Sequence, residues 1–224
     1  MWLASSGMGW SPRDRDASVG EIAAVVGGAA LLTGSWVVVA RRDDVPVLEQ
    51  RVFAAVNGLP ASLWPVLWAP VQLGSFVGSV AVTGATAAVT RRRTLTLAVL
   101  GASQAAYWSA KGVKRVVRRG RPAHLLVDVA VRERTTGVGF VSGHSAVAFA
   151  LATVLAPELP RRARGAPLVL AAVVAGGRVY AGAHLPLDVV GGIGMGVIAG
   201  VAARWSLGLG GVGVPRRDEG VMVR

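Results

Sequence analysis

The sequence predicts an all-α protein, an integral membrane bundle of six transmembrane helices. Three observations carry that expectation. Apolar residues make up 53% of the 224 residues and mean hydropathy is +0.53, while only 16% are charged, below the roughly 25% of an average soluble domain. Apolar runs close to the ~20 residues that cross a bilayer recur along the chain. The formal net charge is nevertheless +12, which suits a protein meeting an anionic membrane surface better than a soluble nucleic-acid binder. Thirty glycines fit close helix packing in lipid. The absence of cysteine excludes disulfides, iron–sulfur clusters and thiolate zinc sites.

Residues 1–20 are polar and read as a cytoplasmic N-terminal segment. Ile22–Ala40 is the first span, closed by Arg41 and Arg42; no small-residue cleavage site follows it, so it reads as an uncleaved span. In Asp43–Pro60, Leu48, Val52 and Val56 recur at helical spacing with Glu49, Gln50 and Arg51 opposite. That pattern predicts an amphipathic helix in the interface, with a plain connecting loop as the alternative. The second span runs from Val71 to Thr90, preceded by Trp64 and Trp68 and ended by Arg91–Arg93. The third covers Leu95–Ala110, the fourth Ser142–Leu159, the fifth Pro167–Tyr180 and the sixth Pro186–Trp205. The membrane domain is thus residues 21–207, and 208–224 read as a flexible tail. Gly208–Gly213 matches a dinucleotide-loop pattern by register only, with no strand before it. Gly192, Gly196 and Gly200, four residues apart, mark a close-packing face, within the chain or between copies of it.

Basic residues in short loops orient such a chain. With the N-terminus inside, Arg91–Arg93, Arg161–Arg164 and Arg216-Arg217 all fall inside. Arg41-Arg42 and the dense run Lys111–Arg121 then fall outside, the second strongly against the rule. Attraction to anionic headgroups would explain it; so would an anion held at that membrane face.

Three segments favour the bound anion. They are Lys114, six residues, then Arg121-Pro122; Ser142-Gly143-His144; and Arg178, five residues, His184, three residues, Asp188. In the six-span arrangement all three lie at the same, outer end. Together they resemble the signature of the type-2 phosphatidic acid phosphatase family, shared with vanadium haloperoxidases: Lys, six residues, Arg-Pro; Pro-Ser-Gly-His; Ser-Arg, five residues, His, three residues, Asp. The match covers residues 114–188, with two departures: Val141 stands at the family's Pro and Gly177 at its Ser.

The residues themselves suit phosphoryl transfer, which needs charge neutralised and oxygens held in line. Lys114, Arg121 and Arg178 are three cations for the phosphate oxygens. Ser142 and Gly143 open a helix, whose N-terminal amides favour an anion; Ser142 also reads as a plain N-cap. Asp188 is spaced to reach one imidazole nitrogen of His184, leaving the other to attack. The resemblance implies that His184 is the nucleophile, forming a phosphohistidine that water hydrolyses, with His144 as general acid. His124, outside the signature, reads as a surface or headgroup contact. His184 and Asp188 could also be two metal ligands, but no third ligand is suitably spaced and the neighbouring cations would repel a metal. The expectation is therefore a hydrolase that needs no metal and no cofactor.

The resemblance implies a lipid phosphatase of the cell membrane, multi-pass, with its active site on the outer side. A lipid phosphate, with preference for a polyprenyl diphosphate, is the expected partner, together with membrane lipids and no nucleic acid; oligomeric state is not legible. The loop Ala123–Phe140, carrying Leu125, Leu126, Val127, Val129 and Val131, is expected over the site. A lipid phosphotransferase using the same phosphohistidine is the alternative within enzymes. A transporter or scaffold that only binds an anion is the alternative outside them.

Overall fold

A computed structural model describes residues 18–210. The remainder of the polar N-terminal segment, the end of the Gly208–Gly213 pattern and Arg216-Arg217 lie outside the described residues. The architecture is all-helical. Helix α1, Val19–Ala40, starts at Ser18: Oγ accepts from the Glu21 amide at 3.2 Å and the Glu21 carboxylate accepts from the Ser18 amide at 3.4 Å. This reciprocal cap satisfies two amides that would otherwise lack partners. Only Gly28 and Ser35 of α1 are buried, while Val19, Ile22, Val26, Leu31 and Val37 are exposed. A helix apolar all round and exposed along its length belongs in lipid, not water.

Asp43–Pro60 does contain a helix, α2, Val47–Asn57, and not a plain loop, but its apolar and polar positions do not divide cleanly into two faces. Leu48 and Val52 point outward, whereas Glu49, Phe53 and Asn57 are buried. Inside a bilayer an apolar face needs no protein cover, and Glu49 and Asn57 turn to polar partners in the bundle, while Gln50 and Arg51 stay exposed. A short 3₁₀ turn at Ala61–Leu63 leads into α3, Trp64–Gln72; α2 and residues 61–72 meet at 72°.

The span expected from Val71 to Thr90 is interrupted. Helix α3 stops at Gln72 and α4, Phe76–Thr90, restarts with Ser75 as its cap, Oγ accepting from the Gly78 amide at 2.9 Å. Helix α5, Arg93–Val116, runs beyond the expected end at Ala110. Its buried stripe includes Ala98, Ala102, Ala106 and Ala110, four residues apart, and it carries Lys114 in its last turn. One turn, α6 (Pro122–Leu125), precedes the loop to α7, Gly143–Leu155; α8 is Ala166–Tyr180 and α9 is Pro186–Ser206.

Helix α7 is central, packed against α5, α8 and α9, while α1 leans on α9. The glycine stripe of α9 makes the α7 contact. A Cβ at Gly192 would meet the Ser142 carbonyl, at Gly196 the Ala146 carbonyl, and at Gly200 the side chain of Thr153. The stripe is therefore used within the chain.

Among the described residues α1 and α9 are long and apolar enough to cross a membrane, and the bent α2–α3 pair makes a third candidate. The six-span count does not follow from this criterion: α4 has 15 residues and α7 has 13, about 22 and 20 Å at helical rise against a core of about 30 Å. The two ends of the bundle nonetheless differ as the charges suggested. At one end Arg204 meets Glu158 (3.0 Å) and Glu21 (3.6 Å), and Glu158 also holds Arg92 (2.7 Å). The other end gathers the three motif segments.

Candidate active site

The site is built on the start of α9. Leu185 caps it and Pro186 occupies its first turn, where a missing N–H costs nothing. Asp188, fully buried, folds back so that Oδ2 accepts from the Leu185 amide at 3.0 Å and lies 3.4 Å from Nδ1 of His184. That leaves Nε2 as the imidazole nitrogen not engaged by Asp188. The backbone of residues 181–185 returns to the end of α8, the His184 amide donating to the Arg178 carbonyl at 3.2 Å. Burial above all pushes the His184 imidazole down to about 4, against the hydrogen bond and charge of Asp188, and Lys114 and Arg178 add to the fall. At neutral pH His184 is thus an uncharged base.

The motif cations converge on it. Lys114 and Arg178 act electrostatically on His184, and His144 shares the field of Arg178, His184, Arg121 and Lys114. Arg121 donates to the Ala183 carbonyl at 2.7 Å, next to the histidine. Ser142 is buried; its amide donates to the Asp188 carbonyl at 2.8 Å, and its Oγ accepts from the Ser145 amide (3.4 Å) and hydroxyl (2.9 Å). The N-cap role of Ser142 is therefore present. His144, half-buried, follows Gly143 in the first turn of α7. His124 is exposed, and its backbone amide donates to the Arg121 carbonyl at 2.9 Å.

The loop after α6 lies across the cations. Glu133 accepts from Arg178 Nη1 through both carboxylate oxygens at 2.8 Å. Lys114 Nζ donates to the carbonyls of Val138 (2.9 Å) and Gly139 (2.7 Å), and Arg121 donates to those of Thr136 and Gly137. The hinge side of the loop is fixed by Arg132, which stacks 4.0 Å from the Tyr180 ring and bonds the carbonyls of Tyr180 and Leu59, and by Asn57, bonded to both the amide and carbonyl of Ala130. Val127 and Val131 are exposed, while Leu126 and Val129 pack on the α8–α9 core.

Sequence reasoning missed Glu49, Arg119 and Glu133. Arg119 lay within the basic run, and only its near-complete burial, 7% exposed beside a 3% exposed Glu49, separates it from Arg115 and Arg118. Burial is a tertiary property with no signature in spacing. Of the two departures from the family pattern, Gly177 has a local cause: a Cβ there would collide with Val71 of α3, itself fully buried. Val141 is also fully buried. Among the described residues no three His, Asp or Glu side chains group as metal ligands.

This fold and this constellation define a membrane phosphatase class. The PAP2 superfamily matches residues 74–208, and the chain belongs to that superfamily. Decaprenylphosphoryl-5-phosphoribose phosphatase of Mycolicibacterium smegmatis is 36% identical over 159 residues, covering 67% of this chain and 84% of that protein. The enzyme of the same name from Mycobacterium tuberculosis is 38% identical over 122 residues, 54% of this chain and 65% of that one. Among solved structures, Aquifex aeolicus LpxE superposes with a TM-score of 0.66 at 25% identity, covering 72% of this chain and 97% of that one. A transmembrane PAP2-type phosphatidylglycerolphosphate phosphatase from Bacillus subtilis superposes with a TM-score of 0.65 at 20% identity, covering 80% and 95%. The chain is an all-helical membrane protein with the PAP2 phosphatase fold.

Proposed function

We propose that this protein hydrolyses the phosphate of a lipid through a phosphohistidine on His184. The observation that carries the reading is a buried His184 with Nδ1 turned to Asp188, in the field of Lys114 and Arg178 and beside the Ala183 carbonyl that Arg121 holds. Nε2 attacks phosphorus, the bond from phosphorus to the lipid-side oxygen breaks, and His144 donates the proton that oxygen needs. Water then attacks the phosphorus of the phosphohistidine, His144 taking its proton, and Nε2 leaves with inorganic phosphate as the product. The three cations, with the first amides of α7 behind Ser142 and Gly143, offset the charge that builds on the equatorial oxygens. They supply what a metal would supply elsewhere, so no metal is required.

The substrate is a polyprenyl-linked phosphate. Supporting this are relatives named for a decaprenylphosphoryl phosphoribose and the apolar exterior of the helices around the site. The multi-pass chain sits in the cell membrane with the site at the outer face. Purified protein in detergent, assayed for phosphate release on a polyprenyl diphosphate, a polyprenylphosphoryl pentose phosphate and a phosphatidic acid, tests the reading. Release from neither polyprenyl substrate would overturn the substrate class, and wild-type turnover by His184→Ala would overturn the mechanism.

A further inference from the structure

The strongest ion pairing at this end of the bundle involves a residue outside the family signature. Arg119 Nη2 lies 2.6 Å from Glu49 Oε2, and its Nη1 lies 2.9 Å from Glu49 Oε1 and 3.0 Å from Asp188 Oδ1. Glu49 Oε1 also accepts from the Leu187 amide at 2.8 Å, in the first turn of α9. All three side chains are buried, at 3%, 7% and 0% exposed for Glu49, Arg119 and Asp188. Three charges removed from water are costly unless each is paired and bonded, and here the planar fork of Arg119 takes Glu49 through two nitrogens while also reaching Asp188, a geometry a lysine lacks.

From this arrangement we propose that Glu49 and Arg119 are positioning residues for the nucleophile, acting through Asp188. The proposal rests on His184 being the nucleophile. Asp188 has two oxygens: Oδ2 serves Leu185 and His184, and Oδ1 is held by Arg119. Arg119 has no rotamer freedom of its own because Glu49 grips its other nitrogen. Glu49 in turn accepts from the Leu187 amide, which ties α2 to the start of α9. The helix whose polar face the sequence suggested was solvated thus sets the direction of the imidazole. The clamp also sets its charge environment. The trio carries a net charge of −1, and His184 further feels Lys114 and Arg178, along with His144, itself in the field of Arg121, and, across Arg178, Glu133.

That balance makes the two ends of the clamp distinguishable. Glu49→Gln keeps the shape and an acceptor for Leu187 but removes a negative charge; Arg119→Gln removes a positive one. Both should lower kcat between about 10- and 100-fold, the cost of a small misplacement of reacting groups, with KM within about twofold. The acid limb of the kcat–pH profile should move down for Glu49→Gln and up for Arg119→Gln. Comparison with wild type on one substrate cancels the substrate's own ionisation. Arg119→Gln strands two buried carboxylates, so the double variant Glu49→Gln/Arg119→Gln accompanies it; it removes one member of each sign and should be no slower than the slower single variant. All rates are taken per folded molecule, by size-exclusion recovery in detergent. Unchanged kcat in Glu49→Gln and the double variant, or limbs that move together, would overturn the proposal. His184→Ala is the reference: if it turns over, the nucleophile assignment has failed; if it is inactive while the clamp variants behave as wild type, the clamp alone has failed.

Discussion

Both carboxylate oxygens of Glu133 lie 2.8 Å from Nη1 of Arg178, a guanidinium only 2% exposed. A carboxylate thus occupies one of the three cations to which phosphate binding is assigned. A phosphate that bonds Nη1 must displace it. Glu133→Gln should therefore lower KM about fivefold while leaving kcat within twofold, the equivalent of ~1 kcal/mol for a partly exposed ion pair. A raised KM, measured by phosphate release across substrate concentration, would show that Glu133 orders the site and does not compete for it.

His184→Ala should lower kcat by orders of magnitude with the protein still folded, since the nucleophile is lost but the cations remain. A phosphorylated species on His184, acid-labile and trapped by rapid quench, is expected in wild type and absent in the variant.

The sign of the pH dependence follows from burial. The His184 imidazole, held down at about 4, stays uncharged as pH falls from 7 and protonates only near 4. The nucleophile itself should therefore not limit the rate at pH 5 to 6, where a free histidine with a pKa near 6.5 would already be largely charged. In the unfolded chain His184 binds its proton first, so its contribution to stability is present above the unfolded value and is lost as pH falls toward 4. Thermal unfolding of His184→Gln should depend less on pH between 4 and 6.5 than that of wild type.

The basic run should not behave as one patch. Lys114 and Arg121 meet the loop and the His184 neighbourhood, whereas Arg115 and Arg118 are exposed. Alanine at 114 or 121 should cost orders of magnitude in kcat/KM, because contacts that tighten in the transition state are lost. Alanine at 115 or 118 should cost a few-fold, mostly in apparent affinity. Equal losses at all four positions would mark a diffuse lipid-binding surface instead.

Activity should survive EDTA, because the cations already offset the developing charge, and vanadate should inhibit by adopting the five-coordinate geometry at Nε2. Loss on chelation that a divalent ion restores would refute metal independence. Topology can be read separately. A cysteine introduced at exposed Ala123 should react with an impermeant reagent from outside intact cells, and one at exposed Arg162 should not.

Composition and hydropathy alone determined that the chain is helical and belongs in a membrane, because a bilayer leaves backbone groups few ways to be satisfied. That the three motif segments share one end was not in their spacing and followed only from the expected alternation of spans; the i, i+4 relation of His184 and Asp188 is local and was legible from spacing. The glycine stripe of α9 was legible for the same reason, since its four-residue period places it on one face. What tertiary structure decided was everything that depends on which neighbour covers a side chain. Glu49 reads as the wet face of an amphipathic helix until α2 is seen to turn it inward onto Arg119. Arg119 is one of several arginines in its run until burial separates it, and Glu133 is a loop residue until the loop folds back on Arg178. The break between α3 and α4 was likewise hidden, because Gln72, Gly74 and Ser75 interrupt the apolar run too briefly to read as a boundary, and α4 restarts at the Ser75 cap. Periodicity records how a helix faces itself; a buried charge chooses its place by the partner that can pay its desolvation, and that partner is remote in the chain.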